Sequence, residues 1–351
     1  MSRRRVREYG LKPGMLPTGK HNTIADVDGV GVGHCTVIEG DDIRTGVTAI
    51  TPHSGNLYED KVSAAVDVFN GYGKSVGLSQ IVNEGNIETP IMLTETLNTF
   101  KVADALIDYY PMKLGYTPRS LNSVVGETNG GYLTDNQKRR IGKEEVFEAI
   151  DNALHCSGPV SEGAVGAGTP MTGYGFKGGI GTSSRKIGKG MVGVLVQLNC
   201  GRKEDLTILG APIGRTVELP VKPEKSPGNS IMMIVATDVM LESRQLWKLA
   251  KRTMLGLART GSFSSNGSGD YSISFTTSKL SITDFAESVD VSPVGDGFMS
   301  HLYKGVVEAT EEAVLNALFK AETVQGYQGH IRYALPIDET LAVLERHGLG
   351  K

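Results

Sequence analysis

Short apolar runs punctuated by turn residues dominate the chain. Residues 30–37, 46–50 and 64–69 are rich in β-branched or small apolar residues, and Gly, Asn, Asp or Pro bounds each of them. That pattern predicts β-strands. Residues 192–198, 231–236 and 271–277 read the same way, and 231–236 is six apolar residues without a break, a buried strand. Helical spacing appears in four places. Leu97, Val102, Ala105, Leu106 and Tyr109 share one stripe of 94–109, and Val146, Ile150 and Leu154 share one of 144–154. Leu246, Leu249, Thr253 and Leu257 do so in 241–259, which stops at Gly261. Val307, Val314, Leu318 and Ala321 do so in 305–321. The second half therefore alternates strand and helix, with no internal repeat. Residues 1–22 read as an irregular lead-in. Residues 202–229 are mostly polar and carry four prolines, and 222–229 reads as an exposed loop.

Composition adds one feature. Glycine supplies 45 of the 351 residues, about 13% against a usual ~7%. Ten of the 29 residues in 162–190 are Gly, so this stretch cannot be a regular helix. It suits turns and short strands passing close to a site. Otherwise the chain has the composition of one ordinary globular domain spanning 1–351.

Charge and cysteine content exclude several classes. A net charge of −3 and a pI near 6.2 argue against a nucleic-acid partner. The one basic run, Arg3 to Arg5, reads as a solvated tail. No run approaches 18 apolar residues, so no membrane span is expected, and no apolar segment follows the basic start as a secretory signal would require. Three widely spaced cysteines, Cys35, Cys156 and Cys200, suit neither disulfides nor zinc and fit a reducing cytoplasm. The seven histidines show no metal-ligand spacing, so no metal or cofactor is expected.

Several familiar patterns fail on context. Gly173, Gly175 and Gly178 form GxGxxG, but Gly179-Ile180-Gly181 follows, which opens a helix poorly. Gly73-Lys74-Ser75-Val76-Gly77 matches the GxSxG elbow, yet 76–79 is a weak helix start. It fails as a P-loop because Val68 stands where the first Gly is required. The pairs Glu144-Glu145 and Glu311-Glu312 read as solvated helix faces rather than acid/base pairs.

Gly228-Asn229-Ser230 sits where the Pro/Lys loop meets the buried strand at 231–236. It has two readings. One is a turn with a strand-leading serine. The other is an autocatalytic cleavage site, at which the serine hydroxyl attacks the preceding carbonyl and emerges as a new N-terminus. Such a serine carries its own base, because an α-amine titrates near ~8.

The surrounding segment, PGNSIMMIVATD at 227–238, resembles the cleavage region of the L-aminopeptidase D-Ala-esterase/amidase (DmpA) family, which includes the β-peptidyl aminopeptidases. Five more segments resemble family patterns in family order: 22–34, 88–94, 125–129, 193–199 and 261–270. The resemblance spans about residues 20–340, nearly the whole chain. The resemblance implies an α/β (α+β) fold, a four-layer αββα sandwich, cut into a 1–229 large chain and a 230–351 small chain. It implies a serine aminopeptidase or amidase that takes the first residue from short peptides, amides or esters. Ser230 would be the nucleophile, freed by cleavage after Asn229. Asn199 would help hold the oxyanion, Ser268 and Asp270 would tune the nucleophile's amine, and Glu127 would receive the substrate amine. Tyr132 would line the pocket. The resemblance further implies a homotetramer of the cleaved unit. Two rivals stand beside it: an acyl transferase like the ornithine acetyltransferases, and an uncleaved homologue that only binds a ligand.

Overall fold

The structure is a computed structural model that describes residues 3–156, 158–220, 230–278 and 294–350. Asn229 and the loop expected at 222–229 lie outside the described residues.

The strands in chain order are β1 (Gly31–Glu39), β2 (Ile43–Thr51), β3 (Val62–Gly71), β4 (Asn86–Ile87), β5 (Ile91–Glu95), β6 (Val124–Thr128), β7 (Thr172–Gly173), β8 (Phe176–Lys177), β9 (Gly179–Ile187), β10 (Gly190–Asn199), β11 (Ser230–Thr237) and β12 (Gly269–Thr276). The helices are α1 (Leu78–Glu84), α2 (Thr99–Tyr109), α3 (Lys143–Leu154), α4 (Ile213–Thr216), α5 (Ser243–Ala250), α6 (Thr253–Ala258), α7 (Asp296–Lys320) and α8 (Ile337–Arg346). The four-stranded sheet has the order β1-β2-β5-β6 and the six-stranded sheet β4-β3-β12-β11-β10-β9, while β7 with β8, and Val324–Gln325 with Ile331–Arg332, form two small two-stranded pairs.

Alternation along the strands explains why the two sheets stack with helices outside. On β11, Met232, Ile234 and Ala236 join a core with Val32, Ile50, Ile91 and Leu93 of the facing sheet. Its other residues, Ile231, Met233 and Val235, meet Leu246 and Leu249 of α5 and Val306 and Ala313 of α7. A third core packs Val47, Ala49 and Met92 against Val102 of α2 and Val146 and Ile150 of α3. The layers are thus helix, sheet, sheet, helix, the αββα sandwich. A strand buried on both faces needs the continuous apolar run seen at 231–236.

The glycine surplus has a packing cause in this arrangement. A Cβ on Gly181 of β9 would lie 2.0 Å from the Ala313 carbonyl oxygen of α7. One on Gly33 of β1 would lie 2.1 Å from that of Ala149 in α3. Helix backbone therefore rests directly on sheet backbone. Gly181→Ala is expected to lower stability by ~1–3 kcal/mol, the usual cost of overpacking, read as a fall in the denaturant midpoint with unchanged slope.

Some local expectations need correction. The basic run is not a solvated tail. Arg3 Nε donates to the Phe319 carbonyl at 2.8 Å, and Arg5 Nε pairs with Glu162 at 2.7 Å. Glu311 and Glu312 are not solvated either. Glu312 is fully buried between Arg185 at 2.7 Å and Arg7 at 2.8 Å, and Glu311 pairs with Arg259. Those partners lie 52 to 316 positions away in sequence, so periodicity alone could not reveal them. The stretch 241–259 is two helices, because the Thr253 hydroxyl donates back to the Ala250 carbonyl and interrupts the ladder. Within the Gly-rich stretch, β9 is a full nine-residue strand. The GxGxxG is a tight hairpin between β7 and β8, with Tyr174 and Gly175 both at positive φ. A helix does follow the GxSxG match, since Gly77 at φ +86° turns the chain into α1. The Ser75 hydroxyl, however, points at the Met232 sulfur.

Candidate active site

Ser230 is the first residue of β11, and two neighbouring strands frame it. Asn199, the last residue of β10, is its antiparallel partner. Gly269, the first residue of β12, is its parallel partner. Three positions far apart in sequence therefore meet at one sheet end. The Gly269 N–H donates to Ser230 Oγ at 3.1 Å, which fixes the hydroxyl as an acceptor and leaves its own proton free to go elsewhere.

Beside it, Ser268 Oγ donates to Asp270 Oδ1 at 2.5 Å. The other Asp270 oxygen accepts from Asn70 Nδ2 at 3.0 Å, and Asn70 also donates to the Ser264 carbonyl. The register of β12 against β3 slips by one residue between Asp270 and Tyr271, a bulge that re-aims these side chains. Burial pushes the Asp270 carboxyl above its ordinary range, and the hydrogen bonds from Ser268 and Asn70 act against that.

The Asn199 amide is held from both ends. The Thr172 N–H donates to its Oδ1 at 2.8 Å, and its Nδ2 donates to the Asn129 carbonyl at 2.9 Å. The Thr172 bond settles which end is oxygen. An amide NH2 has two donors, so one N–H is left after Asn129.

Glu127 lies on β6 in the other sheet and is 2% exposed. Its Oε1 accepts the Lys74 N–H at 2.7 Å, and its Oε2 accepts the Thr96 hydroxyl. The segment that supplies Lys74 also reaches the serine relay: the Tyr72 N–H donates to the Ser268 carbonyl, and Tyr271 Oη donates to the Gly73 carbonyl. The GKS tract is thus a strap joining the two acidic centres. Below it, burial pushes Glu95 up to about 7, countered by Asn136 and the Leu97 N–H. Tyr132 sits in the loop after Asn129. Its ring stacks on His330 at 4.3 Å, with the Arg332 guanidinium 3.5 Å from its centroid.

The structure therefore gathers Ser230, Asn199, Ser268 and Asp270 at one sheet end. Glu127 reaches them through the strap and Tyr132 through the Asn129 loop. Sequence reasoning missed Asn70, Thr96 and Thr172. Asn70 is the last residue but one of β3, and the other two are ordinary threonines until the chain folds around them. Among the described residues no group of three potential metal ligands converges.

Residues 22–332 match peptidase family S58. The chain belongs to that family. Its relatives include the β-peptidyl aminopeptidase BapA of Sphingosinicella xenopeptidilytica, 36% identical over 97% of this chain and 91% of the relative. A β-aminopeptidase of Burkholderia sp. superposes with a TM-score of 0.91 at 35% identity, covering 99% of this chain and all of that one. The L-aminopeptidase D-Ala-esterase/amidase of Ochrobactrum anthropi superposes with a TM-score of 0.88 at 35% identity over 99% of both. It is described as a prototype for the serine aminopeptidases and a variant of the Ntn hydrolase fold. This S58 chain is accordingly a hydrolase of the aminopeptidase and amidase type. That removes the acyl-transferase and non-enzymatic rivals. Among the described residues no helix is long and apolar enough to cross a membrane.

Proposed function

We propose that the chain cuts itself between Asn229 and Ser230 and then uses Ser230 as an N-terminal nucleophile on short peptides, amides and esters. The observation that carries this reading is the placement of Ser230 at a strand start, with Asn199 and Gly269 directly beside it. In this mechanism Ser230 Oγ attacks the carbonyl of the substrate's first residue. Its proton passes to the α-amine of Ser230, directly or through Ser268. The free N–H of Asn199 holds the oxyanion. The same amine then gives the proton to the leaving nitrogen, and water hydrolyses the acyl-enzyme ester. Asp270 keeps the Ser268 hydroxyl oriented, and Glu127 takes the substrate's ammonium.

The reading extends to the substrate's first residue. Relatives named for β-peptides lead us to propose β-amino acids beside α-amino acids. It also includes a homotetramer of the cleaved unit in a reducing cytoplasm, and Cys35, Cys156 and Cys200 as free thiols are consistent with that compartment.

The p-nitroanilides of L-alanine and β-alanine are expected to be hydrolysed. Their N-acetylated forms, which offer Glu127 no ammonium, should be slower by ~10²-fold or more, the scale of a lost buried charge pair. Equal rates on free and acetylated forms would refute the amine-recognition half of the reading.

A further inference from the structure

We propose that Lys177 is a positioning residue for the oxyanion site, its ammonium locking the loop that holds the Asn199 side chain. The proposal rests on the reading of Asn199 as the oxyanion donor.

Lys177 lies on β8 and is fully buried. Its Nζ donates to three main-chain carbonyls: Gly168 at 2.9 Å, Met171 at 2.9 Å and Gly178 at 2.8 Å. Three donors meet three acceptors, which satisfies an ammonium completely. Among the described residues it forms no ion pair. Burial pulls its pKa down to about 7, and the carbonyls favour the charged form against that. A dry lysine without a carboxylate is an expensive way to fill space. A methionine would fill the same volume, so the three carbonyls are what the lysine serves.

Those carbonyls bracket the segment that matters. Gly168 and Met171 precede Thr172, and Gly178 follows the hairpin turn. Lys177 therefore ties both ends of the 168–178 loop to one point. Within that loop, Thr172 N–H holds Asn199 Oδ1 and Tyr174 N–H holds the Cys200 carbonyl. The same loop braces the other side of Asn199. The Thr128 hydroxyl lies against the Met171 sulfur, and a Cβ on Gly130 would meet Pro170 at 2.5 Å. The Asn129 carbonyl, which accepts from Asn199 Nδ2, sits between those contacts. Converging backbone carbonyls repel each other unless donors sit among them, and the Lys177 ammonium supplies all three. Removing that cation frees the loop, and with it the amide whose remaining N–H must meet the oxyanion. A donor misplaced by about 1 Å costs on the order of 10²-fold.

A double-mutant cycle tests this on the processed enzyme with β-alanine and L-alanine p-nitroanilides. Asn199→Ala alone is expected to lower kcat by about 10²–10³. Lys177→Met alone should lower kcat by roughly 10- to 100-fold with KM within about twofold, the mark of an interaction made in the transition state. In the Asn199→Ala background the Lys177→Met change should cost almost nothing further, because the part it positions is gone. Full additivity, or an unchanged kcat in Lys177→Met, overturns the proposal while leaving Asn199 as the donor. A normal kcat in Asn199→Ala overturns the oxyanion reading itself. If Lys177→Met does not fold, Lys177→Arg carries the same cycle. It keeps the charge but cannot set three N–H groups on those three carbonyls, and it too must be non-additive with Asn199→Ala.

Discussion

Ser230→Ala should leave one uncut chain of 37.5 kDa with no measurable hydrolysis, where the native sequence is expected to give fragments of 229 and 122 residues. The two losses have one cause. Self-cleavage needs the hydroxyl to add to the Asn229 carbonyl, moving the acyl group from nitrogen to oxygen before water opens the ester. Catalysis needs the same hydroxyl and the α-amine that cleavage exposes. Alanine supplies neither reaction with an oxygen. The fold should survive, because β11 draws its stability from Ile231 through Ala236, which are all fully buried. Alanine at 230 removes only the acceptor of the Gly269 N–H, a cost of about 1–3 kcal/mol for an unmet buried donor. Denatured mass and N-terminal sequencing decide the matter. The native chain should begin its small fragment with Ser230-Ile231-Met232-Met233. A variant that is cut at the same bond, or an uncut native chain that is fully active, would remove Ser230 from the mechanism.

What the sequence disclosed depended on how local the cause was. The run at 231–236 declared a buried strand because both its faces are covered, and the run at 192–198 placed Asn199 at the end of a buried strand. The resemblance then joined Ser230, Asn199, Ser268 and Asp270, which the parallel and antiparallel partners of β11 bring together. The rest depended on distant partners. Glu312 looks like a solvated residue until Arg185 and Arg7 arrive from other elements. Arg3 looks like a tail until it meets the end of α7. Asn70 becomes a support for Asp270 only because β3 and β12 are neighbours, 200 positions apart. The helix α1 was hidden because its start depends on Gly77 taking a left-handed turn, and spacing does not report φ.

Glu127→Gln is expected to lower kcat/KM for free-amine substrates by roughly 30- to 4,000-fold, which is the 2–5 kcal/mol of a truncated buried charge pair. In the proposed mechanism the carboxylate has room for one ligand. Two of its lone-pair sites are taken, by the Lys74 N–H and the Thr96 hydroxyl, and a carboxylate offers about four. The sites left over are those proposed for the ammonium, on a carboxylate that the strap links to Ser268. Glutamine keeps the size and an oxygen for one of the fixed donors, but it presents an NH2 where the second acceptor stood and carries no charge. The ammonium then loses its counter-ion in a site that burial keeps dry. The loss should fall mainly on KM if the ammonium is held equally in ground and transition states, and on kcat if it orients the carbonyl toward Ser230. The N-acetylated anilides separate this from general damage. They make no ammonium contact, so their slow turnover should change little in Glu127→Gln. A parallel drop on both substrate types would mean that Glu127 supports the fold of the site rather than the amine. Salt gives a second reading, since an enclosed charge pair is screened far less than a surface one. The native preference for free amines should persist at high ionic strength.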